Sequence, residues 1–118
     1  MERVVRAFPV LPGQEKAARE LAHQLSGERH DDAERFFRQF GVTHESWHVQ
    51  ETPAGTWIIA ITEISELPVA TVAESYAHSA EAFDLWFKER VLEITGIDPS
   101  TSPLGPPTEC IFRFEARG

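Results

Sequence analysis

Thr56-Trp57-Ile58-Ile59-Ala60-Ile61-Thr62-Glu63-Ile64 decides the fold. It is mostly β-branched or aromatic, the composition of a strand. Side chains alternate along a strand, so Trp57, Ile59 and Ile61 point one way and Ile58, Ala60 and Ile64 the other. A strand apolar on both faces is buried on both faces. Immediately upstream, Thr43 to Glu51 reads as a second strand, and Thr52-Pro53-Ala54-Gly55 is a turn between the two. The pair is therefore a hairpin. With a loop of that length, Glu51 pairs with Thr56, Trp47 with Ala60 and Val49 with Ile58, while His48 meets Ile59, His44 meets Glu63 and Gln50 meets Trp57 on the opposite side.

The remaining elements follow outward from the hairpin. Val4 to Val10 is a short β-branched strand closed by Pro12-Gly13, with Pro9 suited to a sheet edge. Gln14 to Phe40 has helical periodicity on two faces: Ala17, Ala18, Leu21, Ala22 and Leu25, then Ala33, Phe36, Phe37 and Phe40. Ser26-Gly27 divides it into two pieces, and Gly41 stands at the C-terminal cap. Thr71 to Tyr76 reads as a short helix, with Thr71 and Glu74 at capping-box spacing. Ala80 to Thr95 reads as a longer one, with Ser79 as N-cap and Gly96 as C-cap. Ile97 to Thr108 holds four prolines and reads as an extended connection. Glu109 to Ala116 alternates as a last strand, placing Cys110 among small buried apolar residues.

The order β-α-β-β-α-β predicts a single α+β domain over residues 1–118. It is ferredoxin-like, a four-stranded antiparallel sheet with the helices on one face. One chain then covers only one face of the two-faced strand. The expectation is a homodimer paired through the sheet faces.

Composition narrows the function. The 118 residues carry 19 acidic and 11 basic side chains, a formal net charge of −8, and the basic residues never form a run. Phosphate binding needs a basic face, so no nucleic-acid partner is expected. No stretch approaches the roughly 20 apolar residues of a membrane helix. Arg3, Arg6, Pro9 and Pro12 interrupt the N-terminal apolar stretch, which does not read as a signal peptide. A lone cysteine fits a reducing compartment, and a cytoplasmic location is expected.

At this level the chain resembles the dimeric α+β barrel superfamily, in which two ferredoxin-like sheets pack face to face. Glu45-Ser46-Trp47-His48-Val49-Gln50-Glu51-Thr52-Pro53, Phe83-Asp84-Leu85-Trp86-Phe87-Lys88-Glu89-Arg90, Gly96-Ile97-Asp98 and Gly105-Pro106-Pro107 are also similar to an uncharacterised bacterial domain family of that type. The superfamily includes cofactor-independent antibiotic-biosynthesis monooxygenases, heme-degrading monooxygenases and muconolactone isomerases. The resemblance implies a small-molecule pocket between helices and sheet. The oxygenases of the superfamily pair an asparagine with a tryptophan, and this chain contains no asparagine.

Candidate chemistry rests on few residues. His48 is mid-strand and His78 sits at a helix junction beside Tyr76; imidazole is a general base near neutral pH, so both are candidate catalytic groups. Trp47, Trp57, Tyr76 and Trp86 are candidate ligand-binding walls for a small apolar or aromatic molecule. His44 and His48 on a strand have backbones roughly 13 Å apart, too far for one ion, so no metal site is expected. Arg6 and Arg113 lie inside strands and are expected to pair with acidic groups. The leading expectation is a small-molecule-binding homodimer without a cofactor, whose enzymatic form is a cofactor-independent monooxygenase or isomerase. The alternatives are a non-catalytic ligand-binding or dimerisation module, and heme binding through His78, which the resemblance to heme-degrading relatives suggests.

Overall fold

The computed structural model describes residues 2–65 and 68–117. Strand β1 (Glu2–Val10) leads into helices α1 (Glu15–Ser26) and α2 (His30–Gln39). The hairpin β2 (Val42–Thr52) and β3 (Gly55–Ile64) follows, then α3 (Val69–His78) and α4 (Ala82–Thr95). The sheet is antiparallel, in the order β1-β3-β2, so the two-faced strand is central. That position explains its composition: both edges of β3 are hydrogen-bonded, and Ile58, Ala60 and Ile64 are buried under the helices.

The hairpin has the register that the turn predicts, with Glu51 opposite Thr56, Trp47 opposite Ala60 and His44 opposite Glu63. The turn itself is tighter, because Thr52 still pairs with Gly55. The Thr52 hydroxyl donates to the Gly55 carbonyl at 2.8 Å and accepts from the Ala54 N–H at 3.2 Å. A bulge at Thr43 shifts the register between Val42 and His44. An extra residue reverses the alternation of a strand. Val42, Glu45 and Trp47 thereby share the helix-facing side, while His44, Ser46 and His48 face outward.

Four helices cover that inner side. Phe36 is the hub: its ring meets Phe37, Phe40, Tyr76, Phe83 and Phe87 at centroid distances of 5.0 to 5.6 Å. Such edge-to-face and tilted pairs add to the burial of apolar area. Gly27 breaks α1 from α2, and Gly96 closes α4 at φ 75° with its N–H on the Leu92 carbonyl at 2.8 Å, both as the sequence predicts.

Three expectations need correction. Ser79 does not cap α4, which starts at Ala82; its hydroxyl donates to the Tyr76 carbonyl at 2.9 Å and ends α3 instead. Helix α3 begins at Val69 after Pro68, so Thr71 and Glu74 lie inside it rather than at a capping box. The third correction is larger. Residues 109–116 form no strand, and the sheet has three strands among the described residues, not four.

The last segment does start beside β1. Arg6 and Pro107 form an antiparallel bridge, and the Thr108 hydroxyl donates to the Val5 carbonyl. Pro106 and Pro107 carry no N–H to extend a ladder. Beyond them the chain leaves the sheet, and Ile111, Phe112 and Phe114 are 88%, 77% and 78% exposed. Cys110, expected to be buried, is exposed as well. No helix among the described residues is long and apolar enough to cross a membrane.

Candidate functional site

The inner face of the sheet and the helices enclose a cavity of about 120 Å³. Cavities of this size accept a benzene-sized ring. Its walls are largely apolar, with Phe36, Phe37, Trp47, Phe87 and Leu104 among them. Polar side chains break that lining: Arg6 from β1, Glu45 from β2, Thr62 from β3, Tyr76 from α3, Thr95 from α4, and Ser102 from the segment after it.

Glu45 is positioned from both sides. Its Oε1 accepts from the Thr62 hydroxyl at 2.6 Å, and its Oε2 accepts from the Trp47 indole N–H at 2.7 Å. Thr62 is the cross-strand partner of Glu45, and Trp47 is the next residue on the same face. The two donors favour the carboxylate, but desolvation in the apolar pocket outweighs them and pushes the pKa from 4.5 up to about 7. A group titrating there can give or take a proton at neutral pH. Tyr76 is buried, and burial is the main cause that raises its phenol, with the charges of Glu45 and Asp84 acting in the same direction. Tyr76 therefore stays a neutral hydrogen-bond donor.

Arg6 is not paired as expected. It makes no ion pair among the described residues; Nη1 donates to the Val5 carbonyl at 3.0 Å and Nε is buried without a partner. Burial lowers its pKa. Arg113 lies in the exposed terminal segment, 3.6 Å from Glu115.

The candidate residues named from sequence divide between the two sheet faces and the helix surface. Trp47 and Tyr76 line the cavity. Trp57 lies on the outer face, opposite Val10's neighbour Pro9 and beside Gln50. Trp86 is half-buried on α4, with the Arg29 guanidinium 3.9 Å above its ring. His48 is exposed on the outer face and His78 is exposed at the end of α3; neither lines the cavity. The outer face does bring His44 and His48 together. Both Nε2 atoms converge on the Ser46 hydroxyl, at 2.9 and 3.2 Å. No cluster of three or more metal-ligating side chains occurs among the described residues.

Sequence reasoning missed Glu45. The signal was present: a carboxylate two residues before Trp47 falls on the same face as Ala60 and opposite Thr62, on the side that the helices cover.

The chain is similar in structure to L-rhamnose mutarotase from Formosa agariphila. The TM-score is 0.68 at 21% identity, over 98% of this chain and 100% of that one. This likeness supports the ferredoxin-like α+β fold and carries no relation to the monooxygenases. No protein-family model matches the chain, and no curated protein matches it either.

Proposed function

We propose that the protein is a proton-transferring isomerase of a small, uncharged ring compound, a mutarotase-type activity, and that it works as a homodimer paired through the outer sheet face. One observation carries the reaction type: a carboxyl with a pKa of about 7 and a neutral phenol share one largely apolar cavity. Anomer exchange of a cyclic hemiacetal needs that chemistry. A base takes the anomeric hydroxyl proton while an acid protonates the ring oxygen, and the ring C–O bond breaks to leave an aldehyde. Rotation about the adjacent bond and reclosure, with both proton transfers reversed, give the other anomer. Glu45 fills both roles, taking the anomeric proton and passing it to the ring oxygen as the bond breaks; Tyr76 stays neutral and donates a hydrogen bond to the oxygen that gains charge, and Trp47 is the apolar platform for the ring. The mutarotase named above shares the fold and lends weight to this class of reaction.

The second reading is a non-catalytic binding module for an apolar or aromatic molecule, favoured by the Phe36, Phe37 and Phe87 wall. Anomer exchange measured by saturation-transfer NMR, with L-rhamnose and other free hexoses, separates the two. Wild-type protein is expected to accelerate exchange of at least one sugar, and Glu45→Gln to lose most of that rate, about 10²-fold or more. Tight binding of an aromatic ligand without acceleration of any sugar supports the module and ends the isomerase reading.

The pairing rests on the outer face. Val5, Ala7, Trp57, Ile59 and Ile61 form its centre and are only half-buried. A contiguous apolar patch of this kind marks an interaction surface.

A further inference from the structure

We propose that His44 and His48, on the outer side of β2, hold one divalent transition cation of the copper or zinc kind, in the place that the Ser46 hydroxyl now fills. The site lies across the sheet from the cavity and stands apart from the isomerase reading.

Backbone spacing alone argues against it, since the two residues are four apart on an extended strand, roughly 13 Å. The side chains close that gap. Both rings turn along the strand towards the residue between them, and each Nε2 lies within hydrogen-bond distance of the Ser46 Oγ, at 2.9 and 3.2 Å. The two nitrogens are therefore no more than about 6 Å apart. A Zn–N bond is about 2.0 to 2.1 Å, so a cation between them needs each ring to move in by about 1 Å at most. Both side chains are exposed and make no other hydrogen bond or ion pair among the described residues, so that movement is a small turn about free torsions.

Ser46 is a poor partner for two imidazoles. A hydroxyl has one hydrogen, so it satisfies the lone pair of one neutral ring and must accept an N–H from the other. A cation takes a lone pair from both, with the proton of each ring on Nδ1. The ligand type sets the class of ion. Imidazole suits copper, zinc and nickel, whereas magnesium and calcium call for oxygen. Charge favours a cation too. Glu63 stands directly opposite His44 on the same face, and directly opposed side chains on a sheet are about 5 Å apart at Cβ. His44, Ser46, His48 and Gln50 form a polar margin along the edge strand, beside the apolar centre that β1 and β3 supply, so water completes the coordination.

The test uses the full chain, freed of metal by a chelator and titrated with cupric sulfate. Calorimetry reads the stoichiometry and affinity, and electron paramagnetic resonance counts the coordinated nitrogens. Wild type is expected to take up one ion per chain with the signature of two imidazoles. His44→Ala and His48→Ala are each expected to weaken uptake by about tenfold or more and to lose the two-imidazole signal. Both change only exposed side chains, and circular dichroism checks that the fold is kept. Ser46→Ala removes the competing hydroxyl and is expected to retain the signal, as is His23→Ala on α1. A wild type that binds no copper at high micromolar concentration, or shows a single coordinated imidazole, overturns the site. So does a two-imidazole signal that survives in both His44→Ala and His48→Ala, or one that His23→Ala abolishes.

Discussion

Glu45 accepts two short hydrogen bonds and still titrates near neutrality, so burial is the dominant influence on it. This makes the side chain a contributor to stability with a defined sign. Its folded pKa of about 7 exceeds the ordinary 4.5, so the folded chain binds the proton more tightly. Its contribution is complete below about pH 4.5, declines as pH rises towards 7 and is level above that. The window corresponds to about 3 kcal/mol. Glu45→Gln has no such titration. Urea unfolding at pH 5 and pH 8 is expected to show wild type losing about 2 to 3 kcal/mol more than the variant across that interval. Parallel pH profiles of the two proteins would mean that the carboxyl is solvated and unsuited to proton transfer. The same residue shows how far the site was legible. Alternation puts Glu45 on the face of Trp47, a placement the sequence reading passed over because histidine's ordinary pKa drew attention to His48 and His78. The shift that makes Glu45 the better acid–base group depends on helices packed over it, and no local pattern records that.

At the scale of elements, Lys88 joins α3 to α4. It is buried, and its Nζ donates to the carbonyls of Ala77 at 3.1 Å and Ser79 at 2.8 Å. A cation suits the last carbonyls of a helix. Asp84, one turn earlier and also buried, takes a bond from Gln39 at 3.4 Å through Oδ1 and leaves Oδ2 unpartnered. Lys88→Met removes both bonds and strands the carboxylate; a loss of about 2 to 4 kcal/mol in chemical denaturation is expected, with Tyr76 loosened at the cavity. Unchanged stability would show the carbonyls to be satisfied by water. A second joint is Gly105, at φ 78°, where an added Cβ would collide with the Phe8 ring on the cavity wall. Gly105→Ala is expected to cost about 1 to 3 kcal/mol, read as a lowered Tm, because both the backbone and the ring must move. Elements whose partners are close in sequence were the legible ones. The register of the hairpin follows from a turn of known length, and the break at Gly27 from one residue. The segment after Thr108 has equally good alternation and forms no strand. A strand is made by a neighbour as much as by its own residues, and Pro106 and Pro107 bring no N–H to carry a ladder along β1.

For the whole molecule the decisive feature is again β3, central in the sheet and apolar on both sides. Ile58, Ala60 and Ile64 are closed off by this chain's own helices, whereas Ile59 and Ile61 are not. Ile59→Lys places an ammonium at the centre of the outer face and leaves the inner core untouched. It is expected to yield a monomer at concentrations where wild type is paired, with the monomer's own helices intact by circular dichroism. Pairing two chains of net charge −8 also works against like-charge repulsion. Apolar burial must exceed that repulsion, and added salt screens only the repulsive part. Self-association should therefore tighten, by about threefold or more, between 20 and 300 mM sodium chloride, as sedimentation can measure. An interface held mainly by ion pairs would weaken over the same range. A dimer that loosens with salt would thus contradict an apolar outer face as its basis, even if its mass were the one expected.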